Sequence, residues 1–472
     1  MIKFGTSGFR GIMGDTFTKE SVQRVGYALT EIIRNEKMKT PRIVIGYDNR
    51  FMSFDYAKWM CEVLSCEAKI ELFEMPVPTP LIAFMAKSAD FGIALTASHN
   101  PYYYNGIKIF LHGGRECDDE FARKIETFAN GVDYADVETL SYDKALAAKK
   151  ISLTSDIQTY CEDVLKYVDV KNIKKSGIKV LANAMHGNST VCLRYLFDKL
   201  GLSNGEIMKA EIDPYFEHKL PAPYVQNLSD QALRVKVEKF DLGIAMDGDS
   251  DRFTLISETG NIYDCNYVFP ALYYYFLEYK KMKGGAVKNY AFSNLVNFVV
   301  DDYGEHLYEA KVGFKQVAKL LESTDAFIGA ETNGIAFKPH VNSKDGVFTA
   351  IMVIDMLTTM HKSFEEILSE LREKYNFSST TREFAYPITK EKKEQIIDLF
   401  ESGKKPDFPG YNLESYENIE GYKMKYPNGY WGMVRFSGNE PVVRIFSEMP
   451  TFEETDRMFE CYEKFLGVKT RQ

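Results

Sequence analysis

The sequence predicts an α/β protein of three similar domains followed by a fourth of different character. Three observations carry this expectation. The chain has 472 residues, too many for one core at roughly 100–200 residues per domain. Stretches with apolar residues at helical spacing alternate with short continuous apolar runs, the pattern of helices layered on parallel strands. One apolar run recurs. Asp90-Phe91-Gly92-Ile93-Ala94-Leu95 returns as Asp241-Leu242-Gly243-Ile244-Ala245-Met246, and more loosely as Asp325-Ala326-Phe327-Ile328-Gly329-Ala330. Buried strands resemble one another, so the runs alone would be weak evidence. Each copy, however, leads into a polar loop at the same point, which favours a true repeat. Loops at the carboxyl ends of such strands are where α/β ligand sites usually lie.

The elements follow in order. Phe4-Gly5-Thr6-Ser7-Gly8-Phe9-Arg10-Gly11 reads as a glycine-rich loop able to bring backbone N–H groups and a guanidinium to a phosphate, or as a plain N-terminal turn. Val22, Val25, Leu29, Ile32 and Ile33 mark a helix. Residues 42–50 read as a strand running into a polar loop, and 55–66 as a second helix. The strand 91–95 then leads into Thr96-Ala97-Ser98-His99-Asn100-Pro101. Strands upstream of the second and third copies are read at Ile178-Lys179-Val180-Leu181-Ala182-Asn183 and at Tyr290-Ala291-Phe292-Ser293. From residue 371 the pattern changes: a helix at 391–400, strands at 431–435 and 442–446, and a closing amphipathic helix at 452–466. Boundaries are expected near 142–155, after Arg252 and near 375–381. They divide the chain into 1–150, 151–253, 254–370 and a smaller α+β domain, 371–472.

Composition narrows the function. The net charge is −9 and the pI about 5.5, which argues against nucleic acid or an anionic membrane as partner. No run is long and apolar enough to span a membrane. The first residues carry no signal-peptide h-region. Seven scattered cysteines form no CxxC motif, which suits a reducing cytoplasm and argues against structural zinc. An anionic small substrate fits if cations are gathered locally.

Five constellations could do chemistry. Ser98 stands at a strand tip, and we read it as a nucleophile that carries a phosphoryl group. His99 beside it is a catalytic candidate or a brace for the loop. A Ser-His-Asp hydrolase triad is not expected, because adjacent side chains normally diverge and no Gly-x-Ser-x-Gly elbow is present. Asp247-Gly248-Asp249-Ser250-Asp251 sets three carboxylates at every second residue. Their mutual repulsion calls for a cation, and oxygen ligands favour magnesium or calcium. A calcium EF-hand is excluded, since Arg252 stands where that loop needs glycine and a strand precedes where it needs a helix. A solvated acidic turn is the remaining alternative to a magnesium site. Glu331-Thr332-Asn333-Gly334 offers a carboxylate and an amide for sugar hydroxyls, or is a turn, and Lys344-Asp345-Gly346 is ambiguous. Arg435-Phe436-Ser437-Gly438-Asn439-Glu440-Pro441, with Arg444 beyond, has the form of an anion site or of a hairpin with a surface arginine. Lys108 follows Gly106-Ile107 and is either solvated or a charge stabiliser and proton carrier near Ser98.

These loops closely resemble, in order and over nearly the whole length, those of the α-D-phosphohexomutases, the superfamily of phosphoglucomutase, phosphomannomutase and phosphoglucosamine mutase. The resemblance implies four domains around a central cleft: three α/β sandwich domains with mixed sheets, then the smaller one. It implies a phosphorylated Ser98. Mg2+ would be held by Asp247, Asp249, Asp251 and the Ser98 phosphoryl group. Glu331 and Asn333 would bind sugar, and Arg435, Ser437, Gly438, Asn439 and Arg444 phosphate. Arg252 would also bind substrate, and Arg10 and Lys108 would be catalytic cations, Lys108 a general acid or base. Two loops depart from the family pattern: Asn333 replaces serine and Asn439 replaces threonine. Both touch sugar choice rather than phosphoryl chemistry. The expected activity is interconversion of hexose 1-phosphate and hexose 6-phosphate, glucose or mannose, through hexose 1,6-bisphosphate, in a monomer or dimer. Phosphoglucosamine mutase is the alternative. A sugar-phosphate-binding protein without turnover and a phosphatase are the rival classes.

Overall fold

The computed structural model describes residues 1–5, 8–437 and 441–469. The three recurring runs become the central strands of three mixed sheets. Phe91–Leu95 lies between Arg42–Tyr47, parallel, and Tyr104–Leu111, antiparallel. Leu242–Ala245 has Val180–Asn183 parallel and Thr254–Ser257 antiparallel. Ile328–Glu331 has Ala286–Asn289 parallel and Gly334–Phe337 antiparallel. The repeat is therefore one of backbone pairing as well as of sequence.

Several expectations are corrected. The sheets are mixed, as the resemblance implies, and not layers of parallel strands alone. Only residues 96–103, 246–253 and 332–333 separate each central strand from the next, and a parallel return needs a crossover of a dozen residues or more. The polar loops are the turns of these antiparallel returns. The expected strand at 290–293 is the turn after Ala286–Asn289. Its apolar residues Tyr290 and Ala291 pack instead on Trp431, Met433 and Phe446 of the fourth domain. The expected loop at 4–11 is largely strand: Gly8–Ile12 pairs with Tyr104–Leu111 and sets Arg10 opposite Gly106. The first sheet extends past residue 150, because Ile151–Thr154 pairs with Lys69–Phe73. The second extends past 253 through Thr254–Ser257 and Ile262–Tyr263.

The helices close the layers. Lys19–Asn35 starts at Thr18, whose side chain accepts from Ser21 N, and buries Val22, Val25, Leu29, Ile32 and Ile33. Gly346–Met360 is buried along nearly its whole length, so it is a central helix rather than a surface one. The fourth sheet is antiparallel throughout, in the order Thr380–Pro387, Val442–Met449, Trp431–Phe436, Tyr422–Lys425, Ser415–Asn418. It docks on the third domain through Glu448, which accepts from Ser293 Oγ, Asn294 N and Trp431 Nε1. Lys423 adds a bond to Tyr290 O of 2.7 Å, with its ammonium over the Tyr290 and Trp431 rings.

Candidate active site

Ser98 is buried and has a left-handed backbone, φ +52°. That conformation is unfavourable for a residue with a side chain and persists only where its surroundings hold it. They do so here. Ser98 N donates to Thr96 Oγ1 at 2.8 Å. Arg50 spans the loop, donating to the carbonyls of Ser98 (2.6 Å), Asn100 (2.7 Å), Pro101 (2.7 Å) and Tyr104 (3.1 Å). Asp48 fixes Arg50 at 3.0 Å and accepts from Thr96 and Ser53 hydroxyls at 2.7 Å. The same turn corrects the expectation that Ser98 and His99 diverge. With Ser98 left-handed, both side chains fall on one side, and Oγ lies 3.3 Å from His99 Nδ1.

The second loop meets the first at this hydroxyl. Ser98 Oγ donates to Asp247 Oδ2 at 2.6 Å. Gly248 permits the approach, because a Cβ there would stand 2.8 Å from Ser98 O. Asp249 Oδ2 accepts from Thr79 Oγ1 at 2.8 Å and from Lys108 Nζ at 2.6 Å, and Lys108 also reaches Asp251 Oδ2 at 2.6 Å. Asp247, Asp249 and Asp251 each offer an oxygen, all within 4.8 Å of one another. Asp249 Oδ1 and Asp251 Oδ1 are buried with no hydrogen-bond partner. Converging carboxylates with two buried oxygens that accept no hydrogen bond suit a hard divalent cation.

The third loop is stitched to the second by Phe253 N donating to Asn333 O at 3.1 Å. Glu331 Oε1 accepts from Lys344 Nζ at 3.0 Å, and Lys344 lies 3.7 Å from Asp251 Oδ1. Arg10 donates to Asn100 Oδ1. Arg252 lies against Asp247 (3.7 Å), His99 Nε2 (3.4 Å) and the Tyr224 hydroxyl (3.1 Å). Ser98, His99, Asp247 and Arg252 thus form one bonded group and Lys108, Asp249, Asp251, Lys344 and Glu331 another. The two meet at the three carboxylates, with Arg10 held by Asn100 and Asn333 by its backbone carbonyl. Arg435, Ser437 and Arg444 form a second group on the fourth sheet. Arg435 and Arg444 are direct cross-strand partners, and Ser437 N donates to Val442 O at 3.0 Å. Arg444 pairs with Glu383, and Arg435 lies 3.8 Å from Glu420. Gly438 and Asn439 lie outside the described residues.

Three sequence profiles match the chain in order, described as phosphoglucomutase/phosphomannomutase, alpha/beta/alpha domains I, II and III, over residues 1–136, 158–260 and 264–375. The chain belongs to the phosphoglucomutase/phosphomannomutase family. It is a phosphohexomutase, an isomerase that works by intramolecular phosphoryl transfer. A phosphoglucomutase/phosphomannomutase of Thermococcus kodakarensis is 29% identical over 99% of this chain and 97% of its own. A phosphoglucosamine/phosphogalactosamine mutase of Sulfurisphaera tokodaii is 28% identical over 94% of each. The crystal structure of a phosphoglucomutase/phosphomannomutase family protein from Burkholderia thailandensis superposes with a TM-score of 0.81, at 20% identity over 100% of both chains.

The electrostatics of this phosphohexomutase follow from burying opposite charges together. Burial, then Asp249 and Asp251, push the Asp247 carboxyl up to about 7. Asp251 is equally buried, yet Lys108, Lys344 and Arg252 outweigh burial and hold it far below the carboxylate range. Burial alone would lower Lys108; Asp249 and Asp251 overcome it and keep the ammonium charged. His99 is lowered by burial and then by Arg252 and Arg10, so its ring is neutral.

Residue-level reading did not single out Asp48, Arg50, Thr79 or Tyr224 and left Lys344 ambiguous. For Asp48 and Arg50 a signal existed, a polar run at the carboxyl end of a buried strand. Thr79 and Tyr224 carry none, because their partners lie 170 and 28 residues away.

Proposed function

We propose that this enzyme interconverts hexose 1-phosphates and hexose 6-phosphates, with glucose or mannose as the sugar, through a phosphoserine at Ser98 and a hexose 1,6-bisphosphate. The observation that carries the reading is the buried Ser98 hydroxyl hydrogen-bonded at 2.6 Å to Asp247, one of three converging buried carboxylates. Asp247, Asp249, Asp251 and the Ser98 phosphoryl group would hold Mg2+, which when bound neutralises charge on the transferring phosphoryl oxygens.

Arg435, Ser437, Gly438, Asn439 and Arg444 bind the phosphate that is not being transferred, and Glu331 and Asn333 bind sugar hydroxyls. The phosphoryl group leaves Ser98 Oγ for O6 of the hexose 1-phosphate; a base of the cleft takes the O6 proton, and Oγ gains a proton as it departs. The bisphosphate turns end over end, and Ser98 Oγ takes the phosphoryl group from O1, giving up its proton while O1 gains one. His99 Nδ1, 3.3 Å from Ser98 Oγ, is placed to exchange the Oγ proton. Arg10 and Arg252 stabilise phosphate charge. Free thiols at all seven cysteines, five of them buried, support a reducing cytoplasmic setting. No described helix is long and apolar enough to cross a membrane.

A second reading, in which the sugar is a hexosamine, is supported by the Sulfurisphaera relative. Parallel assays on glucose, mannose and glucosamine 1-phosphates decide between them. The nucleophile is tested with Ser98→Ala, assayed with glucose 1-phosphate and catalytic bisphosphate. Activity is expected to fall by more than about 10⁴-fold, and the intact mass should no longer rise by one phosphate. Near-normal turnover would sink the assignment.

A further inference from the structure

We infer that Lys108 is a positioning residue for the aspartate loop: its ammonium ties one oxygen of Asp249 to one oxygen of Asp251, leaving the other oxygen of each turned toward the cation. The inference rests on the proposed reading of Asp247, Asp249 and Asp251 as a divalent-cation site. Lys108 does not sit on a loop. It belongs to Tyr104–Leu111, opposite Ala94 on the central strand, so the sheet itself fixes the stem. Its side chain is 2% exposed, and its nitrogen is 2.6 Å from Oδ2 of both aspartates. Thr79 Oγ1 donates to the same Oδ2 of Asp249 at 2.8 Å, and Thr79 N donates to Asp249 O at 3.0 Å.

The division of labour between the oxygens is what points to a clamp. Oδ2 of each aspartate is committed to Lys108, whereas Oδ1 of each is buried without a hydrogen-bond partner, that of Asp251 facing the Lys344 ammonium at 3.7 Å. A carboxylate held by one oxygen has its other oxygen aimed by that contact, and partners of this kind tune metal affinity. The Ser98 hydroxyl, by contrast, has Asp247 and His99 as neighbours. Lys108 thus reaches the cation site through Asp249 and Asp251.

The test is Mn2+ titration of the full-length enzyme, following free Mn2+ by electron paramagnetic resonance, with no substrate present. Lys108→Met is expected to weaken Mn2+ binding by about 10–100-fold. Lys108→Arg, which retains a cation able to bridge two carboxylates, should recover most of the affinity. Thr79→Val should lose affinity in the same direction but less. Mn2+ bound by Lys108→Met as tightly as by wild type, or more tightly, overturns the inference; that result would mean the ammonium only competes with the metal. Should Lys108→Met not fold, the other two variants decide: Thr79→Val must lose affinity and Lys108→Arg must keep it, and any other pattern overturns the clamp. Wild-type enzyme that binds no Mn2+ overturns the cation reading and the clamp together, whereas failure of the variants alone overturns only the clamp.

Discussion

Arg50 donates to four carbonyl oxygens of the loop from Ser98 to Tyr104, and Asp48 holds it in place with both side chains fully buried. Removing one partner of such a pair leaves the other charged and unsolvated, which costs about 3–5 kcal/mol. Arg50→Met should therefore lower unfolding stability by roughly that amount, measured by urea denaturation of the full chain. It should also depress turnover more than substrate affinity, because Ser98 would lose its left-handed placement. Arg50→Met combined with Asp48→Asn should recover part of the stability but not the turnover. If Arg50→Met were within experimental error of wild type in both, the scaffold reading of this residue would be wrong.

At the scale of elements, the turn into the helix Gly346–Met360 locks the third loop to the second. Asp345 caps that helix, accepting from Phe348 N at 2.8 Å, and Gly346 N donates to Ser250 O at 3.0 Å. A Cβ at Gly346 would stand 2.5 Å from Arg252 O and 2.9 Å from Ser250 O. Both are backbone atoms and cannot rotate aside. Gly346→Ala is expected to destabilise by about 1–3 kcal/mol and to reduce activity, since the displaced loop backbone carries Arg252 and follows Asp249. Gly131→Ala is the control: nothing lies within 4 Å of its Cβ position, and its thermal midpoint should match wild type. Equal behaviour of the two variants in a melting experiment would remove the steric argument.

Over the whole molecule, His340 marks where three domains meet. Its fully buried ring stacks between Phe84 and Phe348 at 5.1 and 4.9 Å, and its nitrogens lie 2.7 Å from Asp163 and 3.3 Å from Asp345. Lys87 donates to its carbonyl at 2.5 Å. Burial would lower its pKa, but the bonds to Asp163 and Asp345 outweigh burial and raise it above the ordinary 6.5. A raised histidine gives its full stabilisation below about 6.5 and loses it as pH rises through the folded value. The melting midpoint should therefore fall by on the order of 1–3 °C from pH 6.5 toward pH 9, and His340→Gln should flatten that fall. An unchanged slope in the variant would locate the pH dependence elsewhere.

Much of this arrangement is legible in sequence because it is local. Periodicity marks the helix carrying Val22 to Ile33, and a repeated apolar run marks three central strands, since strand and helix formation depend on near neighbours. The spacing Asp247, Asp249, Asp251 announces a cation site for the same reason: three like charges on one turn interact whatever surrounds them. The turn at 290–293 has the apolarity of a strand because Tyr290 and Ala291 pack on a different domain, and apolarity alone does not say against what a residue is buried. Tertiary structure alone decided that Arg50 clamps the Ser98 loop, that Ser98 Oγ meets Asp247, and that Lys108 spends its charge on Asp249 and Asp251. These are contacts between residues up to 149 positions apart, and only the packed fold sets such distances.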